Sequence, residues 1–86
     1  MPEISRFYGI VIRMFFDDHD PPHFHAYYGS DKAVLEINSL AVIAGRLPPR
    51  AAGLVVEWAS LHQEDLRDRW QRAKSHQPLS KIEPLS

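Results

Sequence analysis

The sequence predicts an α+β fold in which an antiparallel β-meander of three to four strands packs on one long C-terminal α-helix. Residues 7–46 consist of short runs of β-branched and aromatic residues separated by turn-forming residues, which is typical of successive antiparallel strands. Residues 49–75 repeat apolar side chains at intervals of three and four, which is typical of a helix that buries one face. Because a helix laid across a sheet buries both apolar surfaces, we expect one domain over residues 1–86.

The predicted strands are bounded by turn and breaker residues. They cover residues 7–16, 23–28, 33–37 and 40–44. Residues 17–22 end the first strand, because Pro21 and Pro22 have no backbone N–H to donate to a neighbouring strand. Residues 29–31 and 38–39 supply the glycine, serine, aspartate and asparagine that favour tight turns.

The predicted helix starts at Pro49, which fits a first helical turn because its missing N–H has no partner there in any case. The apolar stripe of this helix consists of Ala51, Leu54, Val55, Trp58, Leu61, Leu66, Trp70 and Ala73. Residues 76–86 contain two prolines and are expected to form an extended tail. Leu79, Ile82 and Leu85 in this tail can pack back on the domain.

Composition excludes several classes of protein. The chain has 86 residues, 44% of them hydrophobic and 24% charged, which is typical of one small folded domain. It has no cysteine, so a disulfide framework and a thiolate zinc site are excluded. The formal net charge of −1 gives the whole molecule no general attraction for nucleic acid. We expect a cytoplasmic protein, because no segment resembles a signal peptide or a membrane span.

Strand alternation predicts which side chains share a face of the sheet. The apolar sets expected to face the helix are Ile10, Ile12, Met14 and Phe16, then Phe24, Ala26 and Tyr28, then Ala33, Leu35 and Ile37. The opposite face then carries Arg13, His23, His25, Tyr27 and Glu36. This prediction depends on uninterrupted strands, since one bulge reverses the alternation.

Residues 19–26 contain three of the five histidines in the chain, directly after two aspartates. One interpretation is acid–base catalysis by a metal-independent ribonuclease, in which His23 and His25 act as base and acid. Arg13 would bind the phosphate, and Tyr27 would stack a nucleobase or orient a histidine. The predicted catalytic residues are therefore His23, His25, Arg13 and Tyr27.

Two other interpretations use the same segment. His23 and His25 point the same way on a strand and can bind one metal ion, with His19 or an aspartate from the loop as the third ligand. Alternatively the segment has no chemistry and is a turn network or a surface that recognises a partner. Its turn-forming residues are Asp18, Asp20, Pro21 and Pro22.

The chain resembles domain-of-unknown-function family 4160 from end to end. The resemblance rests on residues 1–10 (MPEISRFYGI), 18–26 (DHDPPHFHA), 47–50 (LPPR), the helix around Trp58 and residues 81–85 (KIEPL). Members of this family often have asparagine at the position of Asp20. The resemblance implies a small bacterial protein, often encoded beside a protein of domain-of-unknown-function family 2442 in a toxin–antitoxin-like pair.

We therefore expect a subunit of a two-protein, toxin–antitoxin-like module that acts by binding its partner. The partner would be a small cognate protein of family 2442 type or a second copy of this chain, because a core of this size is marginal alone. Val11, Phe15 and Tyr27 form the expected interface. A ribonuclease that binds RNA and a histidine-based metal protein are the alternatives, so an enzymatic role stays open; no other cofactor is predicted.

Overall fold

The computed structural model describes residues 2–86 and has the predicted α+β class. The strands are β1 (Glu3–Phe7), β2 (Ile10–Arg13), β3 (His23–Tyr28), β4 (Asp31–Glu36) and β5 (Val42–Arg46). They form one antiparallel meander in the order β1-β2-β3-β4-β5, so the prediction of three to four strands is too low. Two helices follow, α1 (Pro49–Leu61) and α2 (Gln63–Lys74). Within the described residues, neither helix has the length and apolar character needed to cross a membrane.

The first predicted strand, residues 7–16, covers a tight turn at Tyr8 and Gly9 and β2, but only the last residue of β1. Phe7 pairs with Ile10 across this turn. Both turn residues have positive φ, 49° at Tyr8 and 80° at Gly9. Positive φ at both central residues suits the twist of a two-residue hairpin, but a tyrosine rarely adopts it. Of the two turn residues only Gly9 is typical of such a hairpin, and for this reason the prediction lacks β1.

The other predicted strands lie close to their expected positions. β3 has the predicted bounds, and β4 begins two residues before the predicted 33–37. β5 lies two residues beyond the predicted 40–44. The reason is Leu40, which has a φ of 62° and donates its backbone N–H to the carbonyl of Glu36 at 2.8 Å. Leu40 thus belongs to the turn between β4 and β5.

The predicted helix of residues 49–75 is two helices with a break at His62. This residue has φ of −129° and ψ of 26°, and its N–H bonds to the carbonyl three residues earlier at 3.0 Å. Directly after the break, the side-chain amide of Gln63 donates to the carbonyl of Ile37 at 2.9 Å, which fixes α2 to the end of β4. Leu61 was assigned to the apolar stripe but is 67% exposed, so the stripe is interrupted here.

The core lies between the helices and one face of the sheet. The Trp58 ring packs against the rings of Phe7 and Phe24, with centroids 5.3 Å and 6.0 Å away. The sheet buries Ile4, Phe7, Ile10, Ile12, Phe24, Ala26, Ala33 and Leu35 on this side. The intervening residues of β2, β3 and β4 point to the other side, which we call the open face.

The C-terminal tail packs back on the domain, as expected. Ile82 is only 4% exposed, and its backbone N–H donates to the carbonyl of Ile4 at 2.7 Å. The hydroxyl of Ser5 donates to the carbonyl of Ile82 at 3.1 Å, and the indole N–H of Trp58 donates to that of Glu83 at 2.8 Å. The tail therefore covers the β1 edge of the core.

We expect Ile82→Ala to lower the free energy of unfolding by about 2–4 kcal/mol, because it deletes buried methylene groups. Ile43→Ala is the matched control, since Ile43 is 48% exposed and should lose less than about 1 kcal/mol. Urea denaturation followed by tryptophan fluorescence measures both values. Equal losses in the two variants would contradict the buried position of the tail.

Candidate functional site

The loop between β2 and β3 carries the histidine motif and is held by the end of α2. Lys74 Nζ lies 3.6 Å from Asp20 Oδ1. His76 Nε2, just beyond the helix, lies 2.8 Å from Asp17 Oδ1. The ring of Phe16 stacks on the His76 ring with centroids 6.1 Å apart, and Phe16 is exposed rather than facing the core as predicted. Side chains of α2 thus position a loop that is distant in sequence.

Asp18 and two histidines bring three potential metal ligands together. Asp18 Oδ2 lies 3.1 Å from His23 Nε2 and 3.3 Å from His25 Nε2. One ligand atom from each residue lies within 4.8 Å of the other two. The exposed fractions of the side chains are 13% for His23, 19% for His25 and 29% for Asp18, so water screens their interaction only in part. We call these three residues the His–Asp cluster.

A hydrogen bond fixes the orientation of the His23 ring. His23 Nδ1 lies 2.7 Å from the carbonyl oxygen of Pro21. A carbonyl only accepts, so Nδ1 carries the hydrogen and donates it. In the neutral ring the lone pair is then on Nε2, which faces Asp18.

The backbone before His23 is also held in place. The Asp20–Pro21 peptide bond is cis, and the carbonyl of Pro22 accepts a hydrogen bond of 2.9 Å from the N–H of Ile37, the residue after β4.

The close contacts in the His–Asp cluster require a proton or a metal ion between the partner atoms. A carboxylate oxygen and an imidazole lone pair both carry negative charge density, so they approach closely only with a proton or a metal ion between them. Asp18 Oδ2 faces two imidazole nitrogens at once. The cluster is therefore a place where protons and divalent cations compete for the same three atoms.

The spacing of these atoms matches the edges of a metal coordination shell. Ligands about 2.1 Å from a metal lie about 3.0 Å apart at adjacent octahedral positions and about 3.4 Å apart at tetrahedral ones. The two nitrogen–oxygen distances of 3.1 Å and 3.3 Å fall between these values. Two of the three distances between ligand atoms thus fit a shared metal ion, and the distance between the two nitrogens is at most 4.8 Å.

The surroundings of His25 favour its neutral form. Burial lowers the pKa of the His25 imidazole, and the nearby Asp18 carboxylate opposes this shift only in part. The ring of Phe15 packs edge-on against His25 with centroids 4.5 Å apart and supplies part of this apolar cover. A neutral imidazole is the form that binds a metal ion.

Arg13 and Tyr27 lie beside His25 on the open face. Arg13 is the direct cross-strand neighbour of His25 in the β2–β3 register. Its guanidinium carbon lies 5.0 Å from the centre of the Tyr27 ring, so the side chain extends along β3 away from His23. Arg13 Nε is buried and has no hydrogen-bond partner in residues 2–86. Most buried polar groups have a partner, so Arg13 Nε is an exception among the described residues.

The structure brings most of the predicted site residues to one face. The open face carries Arg13, His23, His25, Tyr27 and Glu36, as strand alternation predicts. Asp18 joins them from the loop, whereas His19 is exposed and lies outside the group. Of the third ligands considered from the sequence, the geometry thus favours an aspartate.

Sequence reasoning missed the support that α2 gives to this site. The ring of Trp70 packs against His23 with centroids 5.1 Å apart, and Lys74 Nζ lies 5.6 Å from the Trp70 ring centre. Trp70 was recognised as an apolar helix residue, but its contact with the motif depends on the break at His62. No local pattern in the sequence signals that contact.

Comparison with known proteins identifies a family and no closer relative. The family model described as domain of unknown function (DUF4160) matches residues 9–71, which include the whole histidine motif. Searches of curated proteins and of solved structures found no match.

We expect the free energy of unfolding to fall as the pH is lowered from about 7 to about 5, in part through His25. Its pKa is lower in the folded chain than in the unfolded chain, so the unfolded state binds the proton more readily in this range. The stabilisation is complete above the ordinary pKa of about 6.5 and is lost as the pH falls towards the folded value. His25→Gln should weaken this dependence, as measured by urea denaturation at each pH.

His19→Gln is the control for this pH experiment, because His19 is exposed on the same loop. It should leave the pH dependence unchanged. Parallel curves for wild type and His25→Gln would show that burial of His25 does not affect its protonation.

Proposed function

The chain belongs to the DUF4160 family, which specifies no activity, and we propose that it binds a divalent transition-metal ion through the His–Asp cluster. The observation that supports this most directly is the convergence of Asp18 Oδ2, His23 Nε2 and His25 Nε2 within 4.8 Å. Nitrogen and carboxylate ligands together suit zinc, iron(II) or manganese better than calcium or magnesium.

The hydrogen bond from His23 to Pro21 supports the same proposal. Histidine ligands of metal ions almost always donate their second N–H to a carboxylate or a backbone carbonyl, which orients the ring and fixes its tautomer. The 2.7 Å contact between His23 Nδ1 and the Pro21 carbonyl has this arrangement. The lowered pKa of His25 adds to it, because that ring needs little displacement of protons at neutral pH.

Three ligands favour a catalytic centre over a structural one. Structural zinc sites usually have four protein ligands, whereas catalytic sites keep a position for water or substrate. A metal ion held by Asp18, His23 and His25 would supply Lewis-acid chemistry for hydrolysis at a carbonyl or phosphoryl group. We therefore propose metal-assisted hydrolysis as the reaction class, with Arg13 next to His25 as the group that binds an anionic substrate.

Metal-independent acid–base cleavage of RNA would use His23 and His25 as a separate base and acid rather than as ligands of one ion. Its base and its acid act on different oxygens of one phosphate, so the two nitrogens must lie on either side of the substrate. In this structure both Nε2 atoms face one carboxylate oxygen, at 3.1 Å and 3.3 Å. That arrangement favours a shared ion over a divided acid–base pair.

We expect the wild-type protein, purified without chelator, to bind one zinc or manganese ion per chain. Asp18→Asn and His25→Ala should each weaken binding by at least about tenfold, since each removes a ligand atom. Isothermal titration calorimetry gives the affinity, and elemental analysis gives the stoichiometry and the natural metal.

The matched controls for metal binding are Asp31→Asn and His19→Ala. Asp31 is an exposed residue at the start of β4, His19 is exposed in the loop, and both lie outside the His–Asp cluster, so metal affinity should stay within about twofold of wild type. Equal loss in the control variants, or no metal binding by the folded wild type, would refute the proposed centre.

Partner binding in a two-protein module is a second candidate, favoured by the edge strand β5. Val42 is 45% exposed and Ile43 is 48% exposed on this outermost strand. An apolar sheet edge is a common site for pairing with another chain. We propose that a small cognate protein of domain-of-unknown-function family 2442 type, or a second copy of this chain, pairs there.

We expect Ile43→Lys to abolish co-purification with such a cognate protein, because a lysine on an edge strand opposes strand pairing. Leu61→Lys is the control, since Leu61 is 67% exposed and belongs to α1 rather than to β5. Size-exclusion chromatography with light scattering measures complex and homodimer. Unchanged assembly of Ile43→Lys would exclude β5 as the interface.

A further inference from the structure

A row of cross-strand neighbours, three of them cationic, crosses the open face beside the His–Asp cluster. The strand registers place one residue of each strand opposite its neighbours in this row. From β1 to β5 these residues are Arg6, Val11, Tyr27, Lys32 and Arg46. Arg13 extends towards the row, with its guanidinium 5.0 Å from the Tyr27 ring centre. We call Arg13, Lys32 and Arg46 the basic row.

The basic row is not neutralised by acidic side chains. In the part of the chain that the structure describes, no carboxylate lies within 4.0 Å of a nitrogen of Arg13, Lys32 or Arg46. On the same face, the Arg6 guanidinium donates two hydrogen bonds to the Glu3 carboxylate, which neutralises its charge. Among the described residues, Arg13, Lys32 and Arg46 have no such partner. The members of the basic row thus have their charge available for an external anion.

The cross-strand pair of Lys32 and Arg46 places two positive charges next to each other, which destabilises the isolated protein. Like charges directly opposite each other on neighbouring strands destabilise a sheet. Next to this pair, Gly45 has a φ of 69° and lies so close to the backbone carbonyl of Lys32 that a Cβ would collide with it. A polyanion bound across the face would remove this repulsion.

We infer that the basic row binds the phosphodiester backbone of single-stranded RNA. From β2 to β5 the row spans about 14 Å at the usual strand spacing, which suits an extended chain of phosphates better than one small anion. The Arg13 guanidinium, held over Tyr27, presents a flat cation on which a nucleobase can stack. Glu36, opposite His23, supplies an acceptor for a 2′-hydroxyl, which DNA lacks.

This inference goes beyond the proposed metal centre and does not depend on it. The basic row and the His–Asp cluster use different residues, so binding of RNA can be measured in the presence of EDTA. Together they would place a phosphodiester bond next to the His–Asp cluster, since Arg13 pairs with His25 across β2 and β3. The substrate class of the hydrolytic site would then be RNA.

The test is fluorescence anisotropy of a labelled single-stranded RNA of about 12 nucleotides, at about 50 mM salt with EDTA. Wild type should bind, and Lys32→Gln/Arg46→Gln should bind about tenfold or more weakly. The slope of log K against log salt should also fall by about 1.4, because two phosphate contacts are lost. Both residues are exposed, so the fold should tolerate the change.

Arg50→Gln/Arg67→Gln is the control, because it removes the same net charge from exposed positions on the two helices. It should leave RNA affinity within about twofold of wild type. Arg13→Lys should weaken binding while keeping the charge, since lysine cannot stack on a base.

Several outcomes would overturn the inference. They are no RNA binding at low salt, equal loss in the control, and equal affinity for DNA of the same sequence. Assembly with a protein that is blocked by Lys32→Gln/Arg46→Gln would instead make the open face a protein interface. If the wild-type protein binds RNA as expected but binds no metal ion, the proposed metal centre is refuted and the inference about RNA stands.

Discussion

The burial of alternate side chains of β3 determines where the candidate site lies in this structure. Phe24 and Ala26 are fully buried against the helices, so the residues between them must point to the open face. A shift of one residue would place two imidazoles in the core and expose a phenylalanine. The register of β3 is thus set by hydrophobic burial, and the positions of His23 and His25 follow from it without any need for interactions of their own.

Burial sets the direction of the histidines, but the loop and α2 determine what they face. The Pro21 carbonyl orients one ring, and Lys74 and His76 hold the two aspartates that flank Asp18. The contacts of Lys74 and His76 are exposed, so each contributes little to stability. They connect the loop that carries Asp18 to the end of α2.

Features with a regular period were predictable from the sequence, and features set by single residues were not. Alternation placed Arg13, His25 and Tyr27 on one face, because buried and exposed positions repeat every second residue. The turn at Tyr8 was missed because tyrosine is unusual at positive φ, and the break at His62 because it is not marked by glycine or proline. The place of Asp18 in the site depends on loop geometry, which has no period.

The hydrogen bond between Ile82 and Ile4 joins β1 to a segment that is distant in sequence. Within this domain β1 is made long before its neighbour in the tail, so the contact forms late. Until the tail is in place, the edge of β1 and the indole N–H of Trp58 lack these partners. We therefore expect the tail to dock late in folding, because contacts between distant residues close slowly.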